Sequence, residues 1–392
     1  INETINSSLG VNKHNAPGPV HINIAFDEPL IDNKKNVKID IELIKNKIKS
    51  KKILLPKFSR PLIVCGQLNS AKYFNKIIKL SENIDAPVLA DPVSNIRLWK
   101  KHKNIVSYYN HFLKFLNQSP DIILRFGKKP TSKKLNELLK NMRNKTYLFA
   151  KHKKYNDDVE NIININDSIT NNNVNSNWLN HVLDLNKKTE LFLNKNLNKI
   201  FFEGNIINSI INNLDNKDNL FVGNSMVVRN VEKYSPNLNK KIKIHSNRGA
   251  SGIDGIIASA LGMAVSDGTK RNILILGDVS FFYDIGSLIL NKNNVNLTII
   301  IINNQGGQIF KTLGYENKIN NFDDLLLTKI NVPIKEIAKI CKSNYFHFKS
   351  INQINKKLNE VVNMIGIQII EIGCDFDTTI EFEKKINKDL VI

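Results

Sequence analysis

The chain has 392 residues, 42% hydrophobic and 23% charged, with a net charge of +20 from 56 Lys and Arg against 36 Asp and Glu. At roughly 150 residues per domain this length suggests two or three domains, and the apolar content excludes both a chain disordered throughout and a disulfide-stapled miniprotein. No apolar run approaches the roughly 20 residues of a membrane helix, and three scattered cysteines, Cys65, Cys341 and Cys374, suit a reducing cytoplasm rather than a disulfide framework or a Cys-rich zinc site. The lysines are spread through helices and loops and are not gathered beside aromatic residues, which argues against a nucleic-acid platform. The excess positive charge attracts anionic substrates instead.

In chain order, residues 1–15 are polar and lack periodicity. Gly18–Phe26 alternates as a short strand ended by Pro29, and a helix is expected near Ile39–Lys49. From Arg60 the texture is α/β, with strands at Pro61–Gly66, Pro87–Ala90, Asp121–Gly127 and Tyr147–Ala150. Helices fall at Ala71–Asn83 and from Ser132, with Thr131 or Ser132 as N-cap. Residues 156–177 are rich in Asn and read as a loop, and helical segments run from Trp178 to Leu214. A second α/β unit opens at Asn219–Gly223. Its later strands are Lys241–His245, Asn272–Gly277, Asn296–Asn303 and Gly366–Gly373, with helices at Ile256–Ala264 and Tyr283–Asn291. Strands alternating with helices imply parallel sheets covered on both faces, and no fixed-period repeat is present. The expected domains are residues 1–30, 31–177, a helical connection over 178–218, and 219–392.

The strongest chemical signal lies in the second unit. One apolar strand ends in Gly277-Asp278 and another runs into Asn303-Asn304-Gln305-Gly306. Two neighbouring parallel strands thus deliver a carboxylate and a carboxamide to the edge where such sheets bind ligands. Asp278 and Asn304 offer hard oxygen ligands, and Gly306 lets a bare carbonyl approach closely. Such a set suits Mg²⁺ that completes its shell with diphosphate and water. His21, His102, His111 and His245 lack metal-ligand spacing, and His21 is assigned to the first strand as a structural residue.

This arrangement resembles the fingerprint of thiamine-diphosphate enzymes, in which Gly-Asp is followed after a similar spacer by Asn-Asn. Val279 stands where a smaller residue is usual. Arg248-Gly249-Ala250-Ser251-Gly252-Ile253-Asp254-Gly255, together with Gly223–Arg229, Gly18–Phe26 and Asn303–Phe310, narrows the match over nearly the whole chain. The resemblance is to the 2-succinyl-5-enolpyruvyl-6-hydroxy-3-cyclohexene-1-carboxylate synthase family of menaquinone and phylloquinone biosynthesis.

The resemblance implies two doubly wound α/β domains that bind thiamine diphosphate with Mg²⁺ or Mn²⁺. It implies decarboxylation of 2-oxoglutarate and 1,4-addition of the succinyl unit to isochorismate by a cytoplasmic homodimer or homotetramer, with no nucleic-acid or membrane partner. Asp278, Asn304 and the Gly306 carbonyl would hold the metal. Asn224, Ser225, Gly252, Gly277, Val279 and Ser280 would bind the cofactor, which Ile253 would bend. Arg229 and Arg248 would grip 2-oxoglutarate, Lys133 and Lys134 would face isochorismate, and Ile309, Phe310 and Leu313 would line the pocket. In this family a pyrimidine-binding domain carrying an activating glutamate precedes the Gly18–Phe26 strand. The chain, which begins at Ile1, is therefore expected to correspond to the central and diphosphate-binding domains and to have little activity alone. Two alternatives are another thiamine-diphosphate 2-oxo acid synthase or decarboxylase, and a non-catalytic cofactor-binding module.

Overall fold

The computed structural model describes residues 2–10, 17–23, 50–68, 70–150, 157, 159–170, 176–267, 271–291, 294–314, 316 and 318–390. Its strands, in chain order, are β1 Lys52–Ile53, β2 Pro61–Cys65, β3 Val88–Ala90, β4 Ile105–Val106, β5 Ile122–Phe126, β6 Thr146–Ala150, β7 Asn161–Asn164 and β8 Ser168–Ile169. They continue with β9 Asn219–Val222, β10 Lys243–His245, β11 Asn272–Gly277, β12 Leu297–Asn303, β13 Asn344–His347 and β14 Ile367–Gly373. Two six-stranded sheets result, ordered β4-β3-β2-β5-β6-β7 and β10-β9-β11-β12-β14-β13. Every pairing in both is parallel, as the alternation of strands and helices predicted.

The central strands are apolar on both faces because helices cover both. In the second sheet Leu220, Val222, Ile273, Ile275, Ile300 and Ile302 pack into one core, while Phe221, Leu274, Leu276, Ile299 and Ile301 pack into another. The first sheet divides in the same way, with Leu62, Val64 and Ile123 on one face and Ile63, Cys65 and Leu124 on the other. The long helix Ser176–Asn196 joins the core of the first sheet, whereas Ile206, Ile207, Ile210 and Ile211 of helix Glu203–Asn213 join the core of the second. The fully buried Arg97 links the two units. Its Nε donates to the Ala90 carbonyl at 2.6 Å and its Nη1 to the Glu232 carbonyl at 2.8 Å.

Strand order sets where a ligand can sit. In each sheet the chain first winds outward, from β2 to β4 or from β9 to β10. It then returns to the middle and winds the other way, so the loops after β2 and β5, and after β9 and β11, diverge. In the first sheet this crevice is plugged by backbone. Gly66 lies so close to Lys128 that a Cβ would stand 1.8 Å from its carbonyl oxygen, and the Lys128 N–H donates to the Gln67 carbonyl. In the second sheet the crevice is open.

Several expectations differ from the fold. Residues 2–8 form a helix, and residues 17–23 form no strand: the Gly18 N–H donates to the Ser8 carbonyl at 3.0 Å, but no strand among the described residues forms a ladder with them, and an unpaired strand is not stable. His21 is exposed there rather than structural. The rest of the Gly18–Phe26 strand, Pro29, and the helix expected near residues 39–49 lie outside the described residues. The Asn-rich stretch 156–177 is not wholly loop, since Asn161–Asn164 closes the edge of the first sheet and Ser168–Ile169 pairs with β1. Instead of one helix at Tyr283–Asn291, two short helices follow β11, Asp278–Tyr283 and Ile285–Ile289; the fully buried Phe281 seats the first of them against the core.

Candidate active site

Between the carboxyl ends of β9, β11 and β12 lies a cavity of about 320 Å³. Three loops build it. After β9 come Gly223 and Asn224, then Ser225, which caps helix Met226–Tyr234 at φ 63° and ψ −130°. A non-glycine residue there is strained, by about 1–3 kcal/mol, and such strain collects at functional sites. The strained turn is held from behind: Arg229 Nη1 donates to the Ser225 carbonyl at 2.5 Å, and Asn224 Nδ2 donates to the carbonyls of Asn247 at 3.0 Å and Gly252 at 2.6 Å. Arg248 Nη1 completes the brace by donating to Asn224 Oδ1 at 2.7 Å.

After β11, Gly277 stays extended and Asp278 is the first residue of a short helix. Because Gly277 is in register with Ile302 of β12, Asp278 stands beside the loop that follows β12. Its Oδ2 accepts the Gly306 N–H at 2.7 Å. Gly306 adopts φ +118°, and a Cβ on it would lie 2.2 Å from the Leu327 carbonyl oxygen, so only glycine fits this approach. Burial pushes Asp278 up to about 6, against the pull of the Gly306, Val279 and Gln305 N–H groups. A cation beside the carboxylate reverses that shift.

The amide of Asn304 is the telling group. Its Nδ2 donates to Glu203 Oε1 at 2.6 Å, while its Oδ1 is buried and has no hydrogen-bond partner among the described residues. A buried orphaned oxygen beside a buried carboxylate is costly unless a ligand meets it. No trio of His, Cys, Asp or Glu side chains among the described residues could chelate a metal alone. The available donors are one carboxylate, one amide oxygen and the Gly306 carbonyl, which also accepts the Gln308 N–H at 2.8 Å. This sparse oxygen set fits a Mg²⁺ that shares its shell with phosphate oxygens and water.

The structure brings most of the expected site residues to this one cavity. Asn224, Ser225, Ile253, Gly277, Asp278, Val279 and Ser280 line it, as do Asn304, Gly306, Ile309 and Phe310. Gly252 lies just behind, through its carbonyl bond to Asn224. Leu313 is 52% exposed and does not line the cavity. Arg229 and Arg248 are half-buried behind the wall they brace. Burial pushes both below the usual arginine value; Arg248 lowers Arg229 further, and Asp91 pulls Arg248 back. Neither makes an ion pair among the described residues. Lys133 and Lys134 do not reach this cavity. Lys134 Nζ donates to the Asn110 carbonyl at 2.9 Å, and Lys133 borders a separate cavity of about 270 Å³ beside Arg125, because successive helical residues face different ways. The sequence reading missed Glu203, Met226, Gln308 and the 325–328 segment, all of which line the site.

Comparison with known proteins agrees with this geometry. Residues 30–222 match the family model described as the middle domain of thiamine pyrophosphate enzymes, and residues 225–372 match the C-terminal TPP-binding domain of thiamine pyrophosphate enzymes. The chain belongs to the thiamine pyrophosphate enzymes. Curated relatives to which it is similar are named 2-succinyl-5-enolpyruvyl-6-hydroxy-3-cyclohexene-1-carboxylate synthase. The Oceanobacillus iheyensis protein is 28% identical over 94% of this chain and 69% of its own length. The Listeria innocua protein is 29% identical over 91% of this chain and 67% of its own length. The Staphylococcus aureus protein is 32% identical over 86% of this chain and 63% of its own length. The matched region thus spans about two thirds of these relatives. In this family the protein is a thiamine-diphosphate-dependent enzyme of the transferase type, and among its described residues no helix is long and apolar enough to cross a membrane.

Proposed function

We propose that this thiamine pyrophosphate enzyme decarboxylates 2-oxoglutarate and transfers the succinyl unit to isochorismate, with Mg²⁺ or Mn²⁺ joining the cofactor's diphosphate to the protein. The observation that carries the metal site is the buried, orphaned Oδ1 of Asn304 beside Asp278 at the switch point of the second sheet. Bound thiamine diphosphate supplies the electron sink for decarboxylation and the carbon that carries the transferred unit.

The protein's own part is positioning. Asp278, Asn304 and the Gly306 carbonyl hold the metal. Asn224, Ser225, Val279 and Ser280 meet the diphosphate, on backbone fixed by the Arg229 and Arg248 braces. Ile253, packed against the core on one side and facing the cavity on the other, is the apolar support for a bent cofactor. Ile309 and Phe310 keep water from the reacting carbon.

Although neither lines the cavity, Arg229 and Arg248 stand directly behind its Ser225 and Asn224 wall, and the carboxylates of 2-oxoglutarate fall to them. Two half-buried guanidinium groups with no ion-pair partner among the described residues, one lowering the other, favour an anion between them. A homodimer or homotetramer is the assembly we propose; Tyr283, Leu313 and Leu325 near the cavity mouth are 67%, 52% and 65% exposed and suit coverage by another subunit.

The test compares 2-oxo acids in the assembled enzyme. With isochorismate present, 2-oxoglutarate should be consumed at least 100-fold faster than pyruvate. Arg248→Lys keeps the charge and loses the fork, so it should lower kcat/KM for 2-oxoglutarate by about 30-fold, the equivalent of about 2 kcal/mol. Equal use of pyruvate, or an unaltered kcat/KM in the lysine variant, would refute the substrate assignment.

A further inference from the structure

We infer that Glu203 is a positioning residue that orients the Asn304 amide, so that its oxygen and not its nitrogen faces the metal. The inference rests on the metal site proposed above and deepens it.

Glu203 is the first residue of helix Glu203–Asn213 and is 1% exposed. The helix reads as an apolar stripe, with Ile206, Ile207, Ile210 and Ile211 in the core, and Glu203 occupies the position one turn earlier on that stripe. A carboxylate placed on an apolar face is costly unless its oxygens are occupied. Both are: Oε1 accepts from Asn304 Nδ2 at 2.6 Å, and Oε2 accepts from Asn230 Nδ2. The backbone beneath it is tied as well, since the Glu203 N–H donates to Thr379 Oγ1 at 3.4 Å.

The consequence follows from hydrogen-bond inventory. A carboxylate only accepts, so the Asn304 atom against it must be the NH₂ group. That leaves Oδ1 on the cavity side, where it has no partner among the described residues. An unrestrained amide at the end of β12 could present either face, and its NH₂ face repels a cation. The Asn304 backbone is fixed separately, because Gln308 Nε2 donates to the Asn304 carbonyl at 3.0 Å. The side-chain rotation about the Cβ–Cγ bond is therefore the freedom left for Glu203 to remove. Its partner sits 101 residues away in sequence and on a different element, so the contact joins the helix entering the second unit to its metal loop. The role matches the outer-shell groups that fix the orientation of metal-ligating side chains.

The test is Mn²⁺ binding to the protein with thiamine diphosphate present, read by electron paramagnetic resonance of free Mn²⁺, with circular dichroism confirming the fold. Glu203→Gln keeps an acceptor for Asn304 Nδ2, and Asn230 can turn its unpartnered Oδ1 toward the new amide, so affinity should stay within about threefold of the parent. Glu203→Leu removes both acceptors and should weaken Mn²⁺ at least tenfold, the range seen for lost outer-shell partners. Folded Glu203→Leu protein that binds Mn²⁺ like the parent would overturn the inference. Should Glu203→Leu fail to fold, a crystal structure of the parent with Mn²⁺ and thiamine diphosphate decides. Asn304 Oδ1 on the ion with Nδ2 on Glu203 supports the role, and an Asn304 amide turned away from Glu203 refutes it. Asp278→Ala in the same titration separates the two claims. Loss of Mn²⁺ there with none in Glu203→Leu rejects Glu203 alone, whereas no loss in either rejects the metal site itself.

Discussion

Replacing Gly306 by alanine perturbs the site through one added methyl group. The residue holds φ +118°, which L-residues rarely adopt, and its Cβ would stand 2.2 Å from the Leu327 carbonyl oxygen. That carbonyl cannot simply retreat, because it accepts the Gly307 N–H at 2.6 Å. Backbone strain of about 1–3 kcal/mol adds to the loss of a hydrogen bond worth about 0.5–1.5 kcal/mol. The cheapest relief is for the 304–307 loop to shift, which breaks the 2.7 Å bond from the Gly306 N–H to Asp278 and moves the Gly306 carbonyl away from the metal position. We expect at least 2 kcal/mol to be lost from cofactor binding, about 30-fold in Kd at 25 °C. Titration calorimetry with thiamine diphosphate and Mg²⁺ measures it, alongside urea unfolding of the apoprotein. A Gly306→Ala protein with unchanged Kd and unchanged stability would refute both the geometry of this loop and its place in the site.

Two further outcomes concern the fold that carries the site. His111 is buried with Nε2 at 3.1 Å from the Lys233 carbonyl, and burial, then the Lys233 and Lys134 charges, push it down to about 3. Free histidine titrates near 6.5, so below that pH the unfolded chain takes up a proton that the folded chain refuses. The stability His111 contributes is present in full above about pH 6.5 and is lost progressively as the pH falls toward 3. Between pH 6.5 and 5 the parent should lose about 2 kcal/mol more than His111→Gln in urea unfolding, at about 1.4 kcal/mol per unit; equal losses contradict the buried neutral imidazole. Ser225→Gly relieves the φ 63°, ψ −130° strain at the cap of helix Met226–Tyr234, so despite glycine's entropic cost it should raise apoprotein stability by about 1 kcal/mol. A destabilised glycine variant would show that the turn is not strained.

The parallel sheets and the ends of β11 and β12 were legible because their signals are local. Leu297–Ile302 is apolar at every position but Thr298, as a doubly covered strand requires, and Asp278 and Asn304 each follow such a run after one intervening residue, Gly277 and Asn303. Of the edge strands, Lys243–His245 was legible but others were not. Asn344–His347 and Asn161–Asn164 are four residues long and half-exposed, and their polar residues are indistinguishable from loop. The direction of Lys133 and Lys134 depends on how their helix seats on the first sheet, which no spacing along the chain reveals. Glu203 was missed because its meaning is its contact with Asn304. Even so, a lone acid on the stripe shared with Ile206, Ile207, Ile210 and Ile211 was a visible sign of a buried polar partner. The strand order differs between the two sheets, but each reverses its winding beside its first strand, so each has a crevice there and topology alone does not say which one is open. The Gly66–Lys128 backbone contact that closes the first does.

The central claim is that a divalent cation and the cofactor's diphosphate meet at the joined ends of β11 and β12. Asp278→Ala tests it most directly, because it removes the carboxylate from the donor set and leaves a short neutral side chain in a helix that tolerates alanine. Calorimetric titration of thiamine diphosphate, with Mg²⁺ and again with EDTA, should show tight Mg²⁺-dependent binding by the parent. For Asp278→Ala it should show at least a 100-fold weaker Kd that Mg²⁺ no longer improves. A variant that binds thiamine diphosphate as tightly as the parent, with the same Mg²⁺ dependence, would contradict the account.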